Sequence, residues 1–88
     1  MSARGGREVA YVVLHRVCDE GAFAMRALDA ELQRAGVDGR DAALATETVY
    51  GALRVLPSLD RAIGPHLRKP LSTMDGLTRA VLRGSAYQ

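Results

Sequence analysis

The sequence of 88 residues has only one cysteine, two histidines and no long apolar run. With Cys18 alone, neither an intramolecular disulfide nor a cysteine-based metal site can form. No segment approaches the roughly 18–20 apolar residues that cross a bilayer, and no hydrophobic signal-peptide core follows the first residues. These absences predict a cytoplasmic chain that has no membrane partner.

The residue groups that usually support catalysis are also missing. His15 and His66 fall in different predicted helices, and neither has a cysteine or a paired carboxylate at ligand spacing. Serines and threonines occur mainly where helices begin, and no glycine-rich phosphate loop follows a strand. We therefore expect that this chain is not an enzyme and that it holds no metal or cofactor.

The charge balance favours no partner strongly. Twelve basic and ten acidic residues leave a net charge of +2, which is a weak bias. Eleven of the twelve basic residues are arginine, the side chain best suited to binding phosphate and stacking on bases. Codon use in a GC-rich genome explains the same composition equally well, so both interpretations stay open.

Apolar residues recur at helical spacing and strict alternation is absent, which predicts one all-α domain over residues 1–88 with a flexible tail at 1–6. Gly21 and Gly36 are expected to end the first two helices, and Gly21 is free to adopt a left-handed cap. Met25 is expected in the core, and Ser72 or Thr73 is expected to cap the last helix. The predicted helices cover about Arg7–Asp19, Phe23–Ala35, Asp38 to just before Pro57, Leu59–Leu67, and the residues from the cap at Ser72 or Thr73 to the C-terminus.

Gly51 stands in the interior of the third predicted helix, directly after Tyr50. Glycine there costs roughly 1 kcal/mol relative to alanine, so its presence needs a local reason. We expect another helix or a ligand to approach closely at Gly51, and both residues to belong to the core.

One helix face carries the pattern expected for RNA binding. Arg7, Tyr11 and His15 are spaced by four on the first helix, and Arg4 extends the line by a turn. Arginine binds phosphate, and tyrosine and histidine stack on exposed bases. On the fifth helix, Arg79 and Arg83 share the same spacing and are expected to face outward. An ordinary solvated face is the alternative interpretation.

Residues 45–54, ATETVYGALR, resemble the ATELVYGxLR signature of NusB-like domains. The resemblance is greatest to the domains at the N-terminus of RsmB-type ribosomal RNA methyltransferases, which make 5-methylcytosine. Nearly the whole chain agrees with the family in order and spacing, through segments 7–10, 21–24, 27–29, 59–60, 65–67, 69–71, 79–83 and 86–88.

The resemblance implies an all-helical RNA-binding fold. Antitermination factors of this type bind boxA-like RNA together with a ribosomal protein, and in the methyltransferases the domain holds ribosomal RNA for a separate catalytic domain. The family's RNA surface uses the start of its first helix and part of its fifth. Carried over here, the RNA-binding positions are Arg4, Arg7, Tyr11, His15, Arg79 and Arg83.

The family fold usually has about seven helices in roughly 130–140 residues. We therefore expect a C-terminal half that is incomplete and exposes an apolar face. The main hypothesis is recognition of ribosomal RNA in support of cytosine methylation. The alternatives are a protein-interaction or homodimerisation module that uses the apolar face, and an antitermination factor that binds boxA-like RNA with a ribosomal protein.

Overall fold

Five α-helices and two short 3-10 turns make up the ordered elements of a computed structural model, which describes residues 5–88. No strand occurs in this range. The all-α prediction is therefore confirmed. The helices are α1 (Gly6–Glu20), α2 (Ala24–Ala35), α3 (Gly39–Arg54), α4 (Leu56–Ile63) and α5 (Gly76–Tyr87), and the 3-10 turns are Gly64–His66 and Leu71–Thr73.

The first two helices end as predicted. Gly21 and Gly36 have φ values of 72° and 69°, in the left-handed region that glycine adopts without steric cost. The backbone N–H of Gly21 donates to the carbonyl of Arg16, which satisfies one of the last free carbonyls of α1.

The later helix boundaries differ from the prediction. Pro57 does not separate two helices, because it lies in the first turn of α4. Proline is tolerated there, since backbone N–H groups in the first turn of a helix have no acceptor within the helix. At α5 the cap is Asp75, not Ser72 or Thr73, which belong to a 3-10 turn. The Asp75 carboxylate accepts a hydrogen bond from the backbone N–H of Thr78 at 3.0 Å.

The start of α1 also corrects the predicted tail. Gly6 is the first helical residue and is buried, so the tail does not extend through residue 6. A Cβ at Gly6 would lie 3.2 Å from the carbonyl carbon of Asp41 and would overlap its oxygen. The N-terminal ends of α1 and α3 therefore meet backbone to backbone, and the two helices run parallel from there.

Helix α1 is the centre of the bundle and contacts α2, α3 and α5. The side chains that form the two core clusters are small or branched, which allows the helices to approach closely. Met25 is an exception to the prediction, since it is 68% exposed, and Tyr50 is exposed as well. The first core cluster contains Val9, Ala10, Val13, Ala27, Leu28, Ala45 and Val49, and the second contains Leu14, Ala52 and Ala80.

Gly51 has the close neighbour that its position in a helix required. The ring of Tyr87, near the end of α5, lies over it, and a Cβ at Gly51 would be 2.7 Å from Tyr87 Cε1 and closer still to Oη. The Tyr87 hydroxyl donates a hydrogen bond to the carboxylate of Glu47, and Gln88 Nε2 donates to Thr48 Oγ1 at 3.0 Å. These contacts fasten the end of α5 to α3.

Candidate nucleic-acid interface

Helices α1 and α5 pack side by side and antiparallel, which brings the two predicted halves of the RNA face together. Tyr11 contacts Gly84, where an added Cβ would lie 2.8 Å from the tyrosine ring, and Tyr11 Oη lies 3.2 Å from Ser85 Oγ. At the other end, Gly76 lies against His15, with a distance of 2.6 Å from an added Cβ to the imidazole. Glycine at both positions allows this close packing.

Arg79 does not face outward as predicted. Its side chain is 18% exposed and binds within the fold. The guanidinium donates to the carbonyl oxygens of Leu71 and Met74 at 3.1 and 2.7 Å, and to Asp19 Oδ1 at 2.9 Å. Arg79 therefore connects α5 to the preceding turn and to the end of α1.

Arg83 is likewise an intramolecular contact. Its side chain is 13% exposed, and its guanidinium forms two parallel hydrogen bonds with the Asp60 carboxylate, at 2.8 and 2.9 Å. These bonds raise the pKa of Arg83 above its usual range. The prediction of two outward arginines was wrong because helical spacing on α5 does not reveal that α4 and the 3-10 turn supply acceptors on that side.

The residues predicted on α1 differ in how accessible they are. Arg7 is exposed, and within residues 5–88 it forms no ion pair. Tyr11 is half-buried. His15 Nδ1 lies 2.8 Å from Asp19 Oδ2, and this hydrogen bond, with a smaller contribution from Arg79, holds the pKa of Asp19 below its ordinary 3.8. Arg4 lies outside the described residues.

A further arginine that the sequence did not single out lies near Arg7. Arg40 is exposed in the first turn of α3, beside the point where Gly6 touches Asp41. Both arginines stand at helix N-termini, where free backbone N–H groups favour anions. Carboxylates of Glu8 and Asp38 lie on the same ends, so the local charge is nearly balanced. The signal available in the sequence was the Asp38 cap, which placed Arg40 at a helix start.

The outer edge of the α1–α5 pair is a shallow apolar groove of about 300 Å³. Leu77 and Val81 form one wall and are 46% and 37% exposed. Glu8, Tyr11 and Val12 form the other wall. The sequence does contain a signal for this arrangement, because Gly76, Ala80 and Gly84 repeat every four residues and mark the side of α5 that touches α1.

A larger cleft of about 790 Å³ opens between α1, α4 and α5. Arg79 and Arg83 line it together with Asp19 and Asp60, so its positive charges are already paired. Burial raises the pKa of the Cys18 thiol on the same wall, which keeps it protonated. This cleft therefore has no unpaired charge that would attract an anion.

A third groove, of about 510 Å³, lies between α4 and α5 and is mainly apolar. Ile63, Leu67 and Leu82 line it, with His66 and Ser85 among the polar residues. It lies in the C-terminal half, where the sequence predicts an exposed apolar face, but Ile63 is buried and Leu67 and Leu82 are half-buried.

Residues 5–88 contain neither a candidate metal site nor a candidate membrane-spanning helix. No three His, Cys, Asp or Glu side chains come together in a way that would hold a metal ion. No helix in this range combines the length and the apolar character needed to cross a bilayer.

The structure defines a small all-helical domain with exposed arginines where its first and third helices begin and an apolar edge between its first and last helices. The chain belongs to the NusB family, whose model matches residues 4–88. Because that match occupies almost the whole chain, there is no separate methyltransferase catalytic domain in it, as the sequence predicted.

The chain is similar to three curated proteins whose names describe methyltransferases. It is 37% identical over 82 residues to Putative methyltransferase Rv1407 of Mycobacterium tuberculosis H37Rv, and equally to its counterpart MT1451 in strain CDC 1551. It is 44% identical over 70 residues to Ribosomal RNA small subunit methyltransferase B of Thermus thermophilus. These alignments cover 93% and 80% of this chain, but only 18% and 17% of the relatives. No solved structure matches the chain significantly.

Proposed function

We propose that this chain is a cytoplasmic RNA-binding domain that holds ribosomal RNA for cytosine methylation by a separate catalytic domain. The observation that carries the proposal is its similarity, at 44% identity, to a protein named as a methyltransferase of small-subunit ribosomal RNA. The match covers about a sixth of that relative, which fits an accessory role for this segment.

The RNA contact that we propose begins at the end of the bundle where α1 and α3 start. Arg7 and Arg40 are exposed there at adjacent helix N-termini, and Arg4 precedes them in sequence. Phosphate oxygens accept hydrogen bonds both from guanidinium groups and from free backbone N–H groups at such ends. Tyr11 and His15 continue the same face along α1 and would contact bases or ribose.

We propose that Arg79 and Arg83 do not contact RNA directly. Arg79 is held by Asp19 and two backbone carbonyls, and Arg83 is held by Asp60, so binding phosphate would first require breaking those bonds. They act indirectly, by holding α5 against α1 and α4 so that the RNA face keeps its shape.

Binding of labelled ribosomal RNA fragments to the wild-type domain and to an Arg4→Ala/Arg7→Ala variant tests the proposal. We expect micromolar affinity for the wild type and a loss of about thirtyfold for the variant, since each of the two charge-assisted phosphate contacts contributes on the order of 1 kcal/mol. Arg61→Ala is the matched control, because Arg61 is exposed on α4, away from this end. Equal affinities for all three proteins would refute the assignment of the face.

A second function is favoured by the apolar groove between α4 and α5. This groove would be the centre of a larger interface with a second copy of the chain or with a ribosomal protein, as in an antitermination complex on boxA-like RNA. Light scattering over a range of concentrations distinguishes homodimerisation from a monomeric RNA-binding domain. A stable dimer that loses RNA binding on association would favour this second function.

A further inference from the structure

The groove between α1 and α5 is lined mainly by apolar side chains, which do not bind phosphate. One wall consists of the exposed aliphatic side chains of Leu77 and Val81, and the opposite wall includes Val12 and the ring of Tyr11. Such walls offer no partner to a charged or strongly hydrated group, but they suit the faces of a planar ring.

A single carboxylate, that of Glu8, stands at the edge of this groove. Glu8 is exposed and forms no hydrogen bond or ion pair within the described residues. An ionised carboxylate only accepts hydrogen bonds, and its two oxygens can accept from two neighbouring N–H groups at once. Arg7 lies one helical turn before Tyr11, which lines the groove, so a nucleotide stacked there would have its phosphate near a guanidinium.

The dimensions of the groove favour one planar group over a protein partner. Its volume of about 300 Å³ has room for a bicyclic ring with part of its sugar. Stable protein–protein interfaces involve about 20–30 residues on each side, whereas five residues line this groove.

We propose that this groove binds one unpaired guanine of the bound RNA. The inference rests on the proposed RNA-binding function and names the base that the site would recognise. Guanine places two N–H donors side by side on its Watson–Crick edge, which matches the two oxygens of Glu8. Adenine and cytosine place one donor beside an acceptor, and uracil places its N–H between two carbonyl oxygens that would repel the carboxylate.

Fluorescence anisotropy with labelled octauridine oligonucleotides that carry one central guanosine tests the site. Matched oligonucleotides have inosine, adenosine or uridine at the same place. Inosine lacks only the exocyclic amine, so we expect the wild-type domain to bind the guanosine oligonucleotide about five- to tenfold more tightly than the inosine one. Glu8→Gln replaces one acceptor with a donor and should reduce this ratio to about one to two.

A matched control and a second variant keep the test informative. Asp29→Asn removes an exposed carboxylate from α2 and should retain the preference for guanosine. Leu77→Ser, which alters the groove wall at an exposed position, should weaken binding of the guanosine oligonucleotide several-fold while ribosomal RNA fragments still require Arg7.

The failure of this inference is distinguishable from the failure of the proposed function. If the domain binds all four oligonucleotides equally and its RNA affinity still depends on Arg7, the guanine site is refuted and RNA binding stands. If Leu77→Ser abolishes self-association and leaves RNA binding unchanged, the groove is a contact between copies and the guanine site is also refuted. If neither the oligonucleotides nor ribosomal RNA fragments bind, the proposed function itself fails.

Discussion

The sign of the effect of a Gly51→Ala substitution depends on one neighbour, Tyr87. In an exposed helix, replacing an interior glycine with alanine raises the free energy of unfolding by roughly 1 kcal/mol. At Gly51 the new Cβ would lie 2.7 Å from Tyr87 Cε1, with the ring's oxygen closer still. Nonbonded carbon atoms normally stay about 3.5 Å or more apart, and the ring carbon that bears the hydroxyl is closer than Cε1, so the ring must move by more than about 1 Å.

Moving the Tyr87 ring breaks more than one contact. Its hydroxyl donates to the Glu47 carboxylate, a hydrogen bond that raises the pKa of Tyr87. The ring also packs against the second core cluster, which includes Leu14 and Ala52. We therefore expect Gly51→Ala to lower the melting temperature of the wild-type domain despite the better helix propensity of alanine.

In a Tyr87→Ala background the obstacle is absent, so the same substitution should stabilise the domain by roughly 1 kcal/mol. For a domain of this size that corresponds to an increase of about 4–8 °C in the melting temperature. Tyr87→Phe is the matched control, because it removes the hydroxyl but keeps the ring, and Gly51→Ala should remain unfavourable in that background.

Thermal unfolding followed by circular dichroism, in a complete set of single and double variants, measures these effects. An increase of equal size in the wild-type and Tyr87→Ala backgrounds would refute the explanation of Gly51 by close contact. A decrease of equal size in both would point to a neighbour other than Tyr87.

Three further substitutions test other contacts. A double-mutant cycle of Arg83→Ala and Asp60→Ala should give a coupling energy of about 1–2 kcal/mol, between the values typical of exposed and buried ion pairs. A coupling energy of zero would show that this ion pair does not hold α5 to α4. The lowered pKa of Asp19 means that its contribution to stability is present above pH 3.8 and is lost as the pH falls through the lower folded value, so Asp19→Asn should flatten the acid limb of a stability curve measured by urea unfolding. Met25→Gln should change the unfolding free energy by less than about 0.5 kcal/mol, whereas Leu28→Ala should cost about 2–5 kcal/mol, and equal losses would contradict the observed burial.

The features that the sequence predicted correctly are local ones. Gly21 and Gly36 follow runs with helical spacing, and only glycine takes the left-handed cap without cost, so the ends of α1 and α2 were predictable. The misfit of Gly51 in a helix likewise signalled a close neighbour. That neighbour is Tyr87, which lies 36 positions further along the chain, so only the structure could identify it.

The features that the sequence missed depend on choices between similar signals or on distant partners. Ser72, Thr73 and Asp75 are all capable helix caps within four positions, and geometry selected Asp75. Met25 fits the apolar spacing of α2 but lies in its first turn, beyond the edge of the core. The apolar pattern therefore predicts which helices form more reliably than it predicts which end of each one is buried.

The arginine content now has a physical explanation besides phosphate binding and codon use, and this changes the expected salt dependence. Arg79 and Arg83 hold α5 in place, so Arg4, Arg7 and Arg40 are the arginines that we propose contact phosphate. Binding to single strands weakens with a slope of about −0.7 per phosphate contact when log K is plotted against log salt, so three contacts give a slope of about −2. If Arg79 and Arg83 also released their aspartates to bind RNA, the slope would be about −3.5. RNA titrations between low and moderate salt distinguish these two slopes. The steeper slope would favour a bound state in which Arg79 and Arg83 leave their aspartates and contact phosphate.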